Sequence, residues 1–188
     1  MPSPSTLPLI KTPRTRVTLL APYQAPLMTQ FRRENREHLA VWEPRRSTDF
    51  FTEPFWEMQL RFALRDFRQG QSVCLAILDL DTTEVLGVCN YTNIIRGTFQ
   101  SCHLGYALAQ RWQGQGIMFE ALQASLAYIF EDLRLHRVMA NYLPHNQRSG
   151  DLLERLGFTK EGQAEKFLKI NGRWEDHILT ALINPADR

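Results

Sequence analysis

The sequence predicts one α/β domain, a mixed and mostly antiparallel sheet with helices on both faces, and three observations carry that prediction. Two helical stretches precede several β-branched runs joined by turn formers rather than helices, so those runs pair as antiparallel neighbours. A strand ending at Leu108 passes through two glycines into a long apolar-faced helix and then another strand, which implies a local parallel pair or a split in the sheet. Asn171-Gly172 between two apolar runs is a strong hairpin signal.

The elements follow in chain order. Residues 1–13 read as a loose, flexible Pro/Ser/Thr-rich arm without the charged start and apolar run of a signal peptide, and a single domain spans 14–188. Arg16 to Leu20 is a short strand. Gln24 to His38 is helical, with Leu27, Phe31 and Leu39 at helical spacing, and the Trp42-Glu43-Pro44 loop follows. Thr52 to Gln69 makes a second helix, because Pro54 suits a first turn and Phe55, Met58 and Phe62 form a stripe. Val73–Leu78 and Val85–Ile95 are strands separated by the turn cluster Asp79 to Thr83, and Cys102–Leu108 is a third. Met118, Leu122, Leu126, Ile129 and Leu133 then fall on one continuous helical face. Arg137–Tyr142 is a strand, Gln147–Leu156 a short helix ended by Gly157, and Phe158 onward a strand. The hairpin joins Phe167–Ile170 to Trp174–Leu182.

Composition narrows the function classes. The 188 residues suffice for one domain with a substantial core. Net charge is only +2, from 22 basic and 20 acidic residues, so a nucleic-acid footprint is not expected. Three cysteines, Cys74, Cys89 and Cys102, with no CxxC spacing, read as reduced buried thiols rather than a disulfide framework or metal site. No apolar run approaches the ~20 residues of a membrane span, which leaves the cytoplasm as the expected compartment. The sequence leaves the oligomeric state open.

The informative segment runs from Leu108 to Met118. Gly114 and Gly116 allow unusual dihedrals and a close approach to their amides, and the helix starting near Ile117 offers unpaired N–H groups and the positive end of its dipole. Together they suit a pyrophosphate, with Arg111 adding charge at the same mouth. A P-loop is excluded because no GxxxxGK[ST] string occurs, and Phe119 stands where a dinucleotide fingerprint needs its third glycine.

Arg111-Trp112-Gln113-Gly114-Gln115-Gly116 resembles the R/Q-x-x-G-x-G/A signature of the GNAT acetyltransferases, and the order of elements is similar to that fold from about residue 14 to residue 183. His136 to Tyr142 and Pro144 to Gly150 resemble the family's next strand and its N-x-x-S element. The resemblance implies acetyl-CoA as cosubstrate, no metal, and a loop of Leu108, Arg111, Gln113, Gly114, Gln115, Gly116, Ile117 and Met118 around the diphosphate. It also implies that Asn141 belongs to the cofactor site, that Asn146 holds the pantetheine arm and that Ser149 could protonate the departing thiolate; a cap at the start of a helix is the plainer role for Asn146 and Ser149. Gly150, costly in a first turn, would be explained by close approach of a ligand.

The His38 to Pro44, Asn93 to Gly97, Asn146 to Gly150 and Gly157-Phe158 segments further resemble the ribosomal-protein N-terminal acetyltransferases of the RimJ/RimL type, the RimJ branch most of all. That implies transfer to the N-terminal alanine of a ribosomal protein, with Trp42, Glu43 and Tyr106 at the acceptor entrance. Backbone N–H groups at the end of Tyr106–Leu108 could stabilise the oxyanion. For the base, Glu43 is the first choice among Glu43, Glu165, His145 and His177, none of which the motif selects. A small-amine acceptor, a non-catalytic CoA-binding module and a ribosome-associated module remain as alternatives.

Overall fold

In a computed structural model, residues 7–187 are described; residues 1–6, the start of the expected arm, lie outside them. Eight strands form one sheet: β1 (Leu9–Lys11), β2 (Arg16–Thr18), β3 (Val73–Leu78), β4 (Val85–Ile95), β5 (Ser101–Leu108), β6 (Arg137–Tyr142), β7 (Thr159–Ile170) and β8 (Arg173–Ile183). Their order is β1-β2-β3-β4-β5-β6-β8-β7, and only β5 and β6 run parallel. Five helices complete the chain: α1 (Ala25–Glu34), α2 (Arg36–Ala40), α3 (Glu53–Arg68), α4 (Ile117–Glu131) and α5 (Gln147–Arg155).

β3 alternates between two cores. Val73, Leu75 and Ile77 pack with the α4 face, while Ala76 and Leu78 pack with Met28 and Phe31 of α1 and Leu60 of α3. Helices therefore cover both faces. The predicted stripe of α4 is entirely buried, from Met118 through Leu133, and each such side chain contributes about 1.5–3 kcal/mol relative to exposure. Ser125 interrupts the stripe, but its hydroxyl meets the buried Tyr91 hydroxyl at 2.8 Å, so neither polar group is orphaned.

Three local features depart from the sequence expectation, the first being the α3 stripe: Met58 and Phe62 are exposed, and the helix buries Leu60 and Phe67 instead. Leu9–Lys11, expected within a flexible arm, pairs with Arg16–Thr18 as the edge hairpin β1–β2. Its turn is Thr12-Pro13-Arg14-Thr15, where proline presets the backbone and the two threonine hydroxyls meet at 2.7 Å. The first helix also stops at Asn35 instead of reaching His38. Asn35 donates to the Phe31 carbonyl (2.9 Å) and accepts from the Gln110 N–H (2.9 Å), which breaks the helix and ties it to the loop after β5.

Gly87 of β4 faces Leu108 across the ladder, and a Cβ there would stand 2.5 Å from the Ala107 carbonyl oxygen. Backbone cannot yield cheaply. Gly87→Ala is expected to cost about 2 kcal/mol and lower the melting temperature by roughly 4–8 °C, read by thermal circular dichroism.

Candidate active site

Antiparallel pairing holds β4 to β5 as far as Leu108, and β6 to β8 as far as Tyr142. Between β5 and β6, however, pairing covers only Ser101↔Arg137 to His103↔Met139. Beyond it the inner edges of residues 104–108 and 140–142 have no strand partner, so backbone donors and acceptors face a cleft. The sequence allowed a parallel pair or a split; the structure has the pair first and the split after it. Asn141 lies on the β6 edge of this cleft, half-buried and paired with Leu179 on its other side.

The glycine loop closes one end. Gly114 (φ +74°) and Gly116 (φ +77°) are both left-handed, a region that only glycine enters without strain. Gly116 caps α4 with no side-chain bond to the first turn, and a Cβ on Gly114 would meet nothing within 4 Å. The helix amides are thus bare and the space before them is open, which fits a diphosphate.

The loop's side chains brace it from outside. Arg14, from the β1–β2 turn, donates to Glu120 (2.8 Å) and to the Gln115 carbonyl (2.8 Å). Arg111, expected to face phosphate, instead pairs with Glu84 and, at 3.7 Å, with Glu34; the Trp112 indole joins it on Glu84 (3.0 Å). Gln115 turns back to the Arg111 carbonyl (2.9 Å), and Gln113 lies between the His38 ring (2.9 Å) and the Arg148 guanidinium (2.6 Å). Ile117 and Met118 point into the core. What this segment offers an anion is therefore its backbone, with free positive charge supplied by Arg148, which makes no ion pair among the described residues.

His38 is a member that sequence reasoning missed. Burial, reinforced by Arg148, holds its imidazole below the ordinary histidine range against the opposing effect of the Leu108 backbone. A neutral ring can accept from Gln113, so a directed chain runs from Arg148 through Gln113 to His38.

Across the cleft, Asn146 caps α5 by accepting from the Ser149 N–H (3.3 Å), which leaves its amide NH2 without a partner among the described residues. The Ser149 hydroxyl lies 2.6 Å from the Tyr106 hydroxyl, joining the two walls at the cleft's mouth. Burial pushes the Tyr106 phenol up to about 12. Gly150 has a reason besides the one expected: a Cβ there would sit 3.0 Å from the Tyr142 hydroxyl and 3.1 Å from its ring, so packing against β6 by itself favours glycine.

The expected acceptor residues gather beside this mouth. The Trp42 ring lies 5.6 Å from that of His145, just before Asn146. Glu43 is not a free carboxylate. Its oxygens accept from Arg32 (2.8 Å) and Arg46 (3.3 Å), and its carbonyl accepts from the Asn171 N–H (3.0 Å), fastening the loop to the β7–β8 hairpin. Glu165 is exposed beside a bulge in β7, while His177 is buried with Nδ1 on the Glu175 carbonyl (3.0 Å). Of the four base candidates, His145 alone lines the groove of about 410 Å³ between Val41, Leu143 and the hairpin.

Cys89 and Cys102 are fully buried, and burial pushes both thiols up to about 12, which disfavours a thiolate nucleophile. No group of three or more metal-ligating side chains occurs among the described residues, and none of their helices is long and apolar enough to cross a membrane.

A sheet split beside a glycine-led helix with bare first-turn amides suits an acyl-CoA-dependent transferase, and the chain belongs to the GNAT acetyltransferase family: residues 16–159 match its acetyltransferase domain. It is 44% identical over 176 residues to the [ribosomal protein uS5]-alanine N-acetyltransferase of Escherichia coli K12, covering 94% of this chain and 91% of that one. The crystal structure of ribosomal-protein-S5-alanine acetyltransferase from Vibrio fischeri superposes with a TM-score of 0.89 at 37% identity, covering 96% and 98%. Mycobacterium smegmatis RimJ in complex with CoA-disulfide gives 0.86 at 28%, covering 96% and 88%.

Proposed function

We propose that the protein acetylates the N-terminal α-amine of a protein beginning with alanine, and that the acceptor is a ribosomal protein met in the cytoplasm. The observation that carries the chemistry is the Tyr106–Ser149 hydroxyl pair at the mouth of a cleft whose other end is the bare α4 amides. The likeness to the uS5-alanine enzyme supports the acceptor. Acetyl-CoA, when bound, supplies an activated thioester.

The chain's own groups do the rest. Amides of Gly114 to Met118 hold the diphosphate, with Asn146 and the free edges of β5 and β6 along the arm. Backbone N–H at the end of Tyr106–Leu108, on the edge of β5 that β6 leaves unpaired, faces developing oxyanion charge. Ser149 holds a proton for the departing sulfur and draws on Tyr106. An α-amine has a reference pKa near 7.7–8.0, so roughly a tenth is neutral at pH 7, and His145 or a water beside it suffices as base.

Labelled acetyl-CoA offered with Ala- and Ser-starting peptides, polyamines and aminoglycosides tests this. Label is expected on the terminal amine of Ala-starting peptides; transfer only to small amines, or binding of acetyl-CoA without turnover, would overturn the proposal.

A further inference from the structure

The acceptor side carries a charge pattern that acetyl transfer itself does not require. Next to the groove holding His145 lies a cavity of about 170 Å³ whose walls include four arginines, Arg32, Arg36, Arg45 and Arg46, against one carboxylate, Glu43. Arg45 and Asn171 line both spaces, and the outer groove adds Arg173 and Glu175. Along the combined surface five guanidiniums face two carboxylates, whereas the whole chain carries only +2.

Arg32 is the unusual member. It is 6% exposed, lies between the rings of Phe31, Phe50 and Trp56 at 5.1–5.4 Å, and gives Nη1 to Glu43, while its Nε has no protein partner among the described residues. Burial holds its pKa down against the opposing effect of Glu43. Arg32 and Arg46 already share Glu43, so the cations this cavity offers an incoming carboxylate are Arg36 and Arg45, which make no ion pair among the described residues.

Taken with the proposed function, on which this inference rests, we propose that the arginine cavity is a specificity subsite for an acidic side chain of the acceptor, a few residues beyond the amine that receives the acetyl group. An extended acceptor whose amine lies by Ser149 passes His145, then Arg45 and Asn171, and reaches the cavity. At about 3.3 Å per residue, the early positions of the peptide are those that the walls read. Arg45 stands at the junction. It is exposed, appears in no ion pair among the described residues, and lies 3.8 Å from where a Cβ on Gly172 would be.

The test is steady-state kinetics of the full chain on Ala-starting peptides that carry one Glu, Gln or Lys at each of about positions two to six. At one position, Glu is expected to raise kcat/KM over Lys by about tenfold, mainly through KM, with the ratio shrinking as salt rises. Arg45→Glu is expected to invert that ratio, while calorimetry shows unchanged acetyl-CoA affinity and so an intact fold. Equal kcat/KM for Glu, Gln and Lys peptides at every position sinks the subsite but leaves N-terminal acetylation standing. Acetylation of no peptide at all sinks the functional reading beneath it. Competition by single-stranded RNA, with peptide charge having no effect, would assign the arginines to nucleic acid and overturn the inference.

Discussion

Replacing Gly114 with aspartate is expected to weaken acetyl-CoA binding by more than a hundredfold and to leave the fold standing. Steric tolerance makes the two effects separable, because a Cβ at Gly114 points into open space and disturbs no neighbour. The left-handed backbone there (φ +74°) costs a substituted residue about 1 kcal/mol, which aspartate tolerates better than most. Binding suffers far more. A carboxylate would stand where the diphosphate meets the bare amides before α4, and losing two charge-assisted bonds of ~1.5 kcal/mol each already exceeds a factor of a hundred. Titration calorimetry reads the affinity, and a circular dichroism melt within a few degrees of the parent shows the fold. Gly114→Ala separates charge from backbone strain and is expected to bind far better than the aspartate variant. Near-parental affinity in Gly114→Asp would remove the diphosphate from this loop.

How much of this was legible beforehand depends on the range of the interaction. The α4 face was legible because Met118, Leu122, Leu126, Ile129 and Leu133 repeat at the helical period, and a period is local information. Asn171-Gly172 fixed the last hairpin for the same reason: only a few residue types take its positive dihedrals (φ +44° and +86°). The split between β5 and β6 was legible only as one of two outcomes, since register after a crossover is decided by packing. Contacts between distant segments left no trace. Arg14 reaches Glu120 across 106 positions and His38 reaches Gln113 across 75, so nothing in either neighbourhood marks them as braces of the glycine loop. Arg111 shows the converse. It stood in the motif, and its type suggested phosphate, yet it pairs with Glu84, the residue just before β4. Gly150 was legible as an anomaly without its cause, because the Tyr142 ring that fills its space arrives from β6. The β1 strand was hidden by composition: Pro13 and two threonines read as arm, though in this order they make a turn.

The second large effect is expected at the hydroxyl pair. Ser149→Ala is expected to lower kcat by about a hundredfold with acetyl-CoA affinity nearly unchanged, because a positioned proton donor contributes 10²–10⁴ and no other hydroxyl contacts Ser149 among the described residues. Tyr106→Phe is expected to lower kcat less, about tenfold, since Ser149 keeps its own proton and loses only the partner that restores it. If the two act in series, the double variant falls no further than Ser149→Ala, a non-additivity that independent roles would not produce. The pH profile supplies a second readout. Tyr106, pushed up to about 12, keeps its proton throughout the working range, so it imposes no loss of rate on the alkaline side below about pH 11. The acceptor amine must lose its proton, so kcat/KM is expected to rise with pH through roughly 8 and then level off. That rise should survive in Tyr106→Phe. A decline setting in near pH 9 in the parent and absent from Tyr106→Phe would instead place the phenol's ionisation well below the range its burial implies, whereas an unchanged kcat in Tyr106→Phe would mean that Ser149 does not draw its proton from Tyr106.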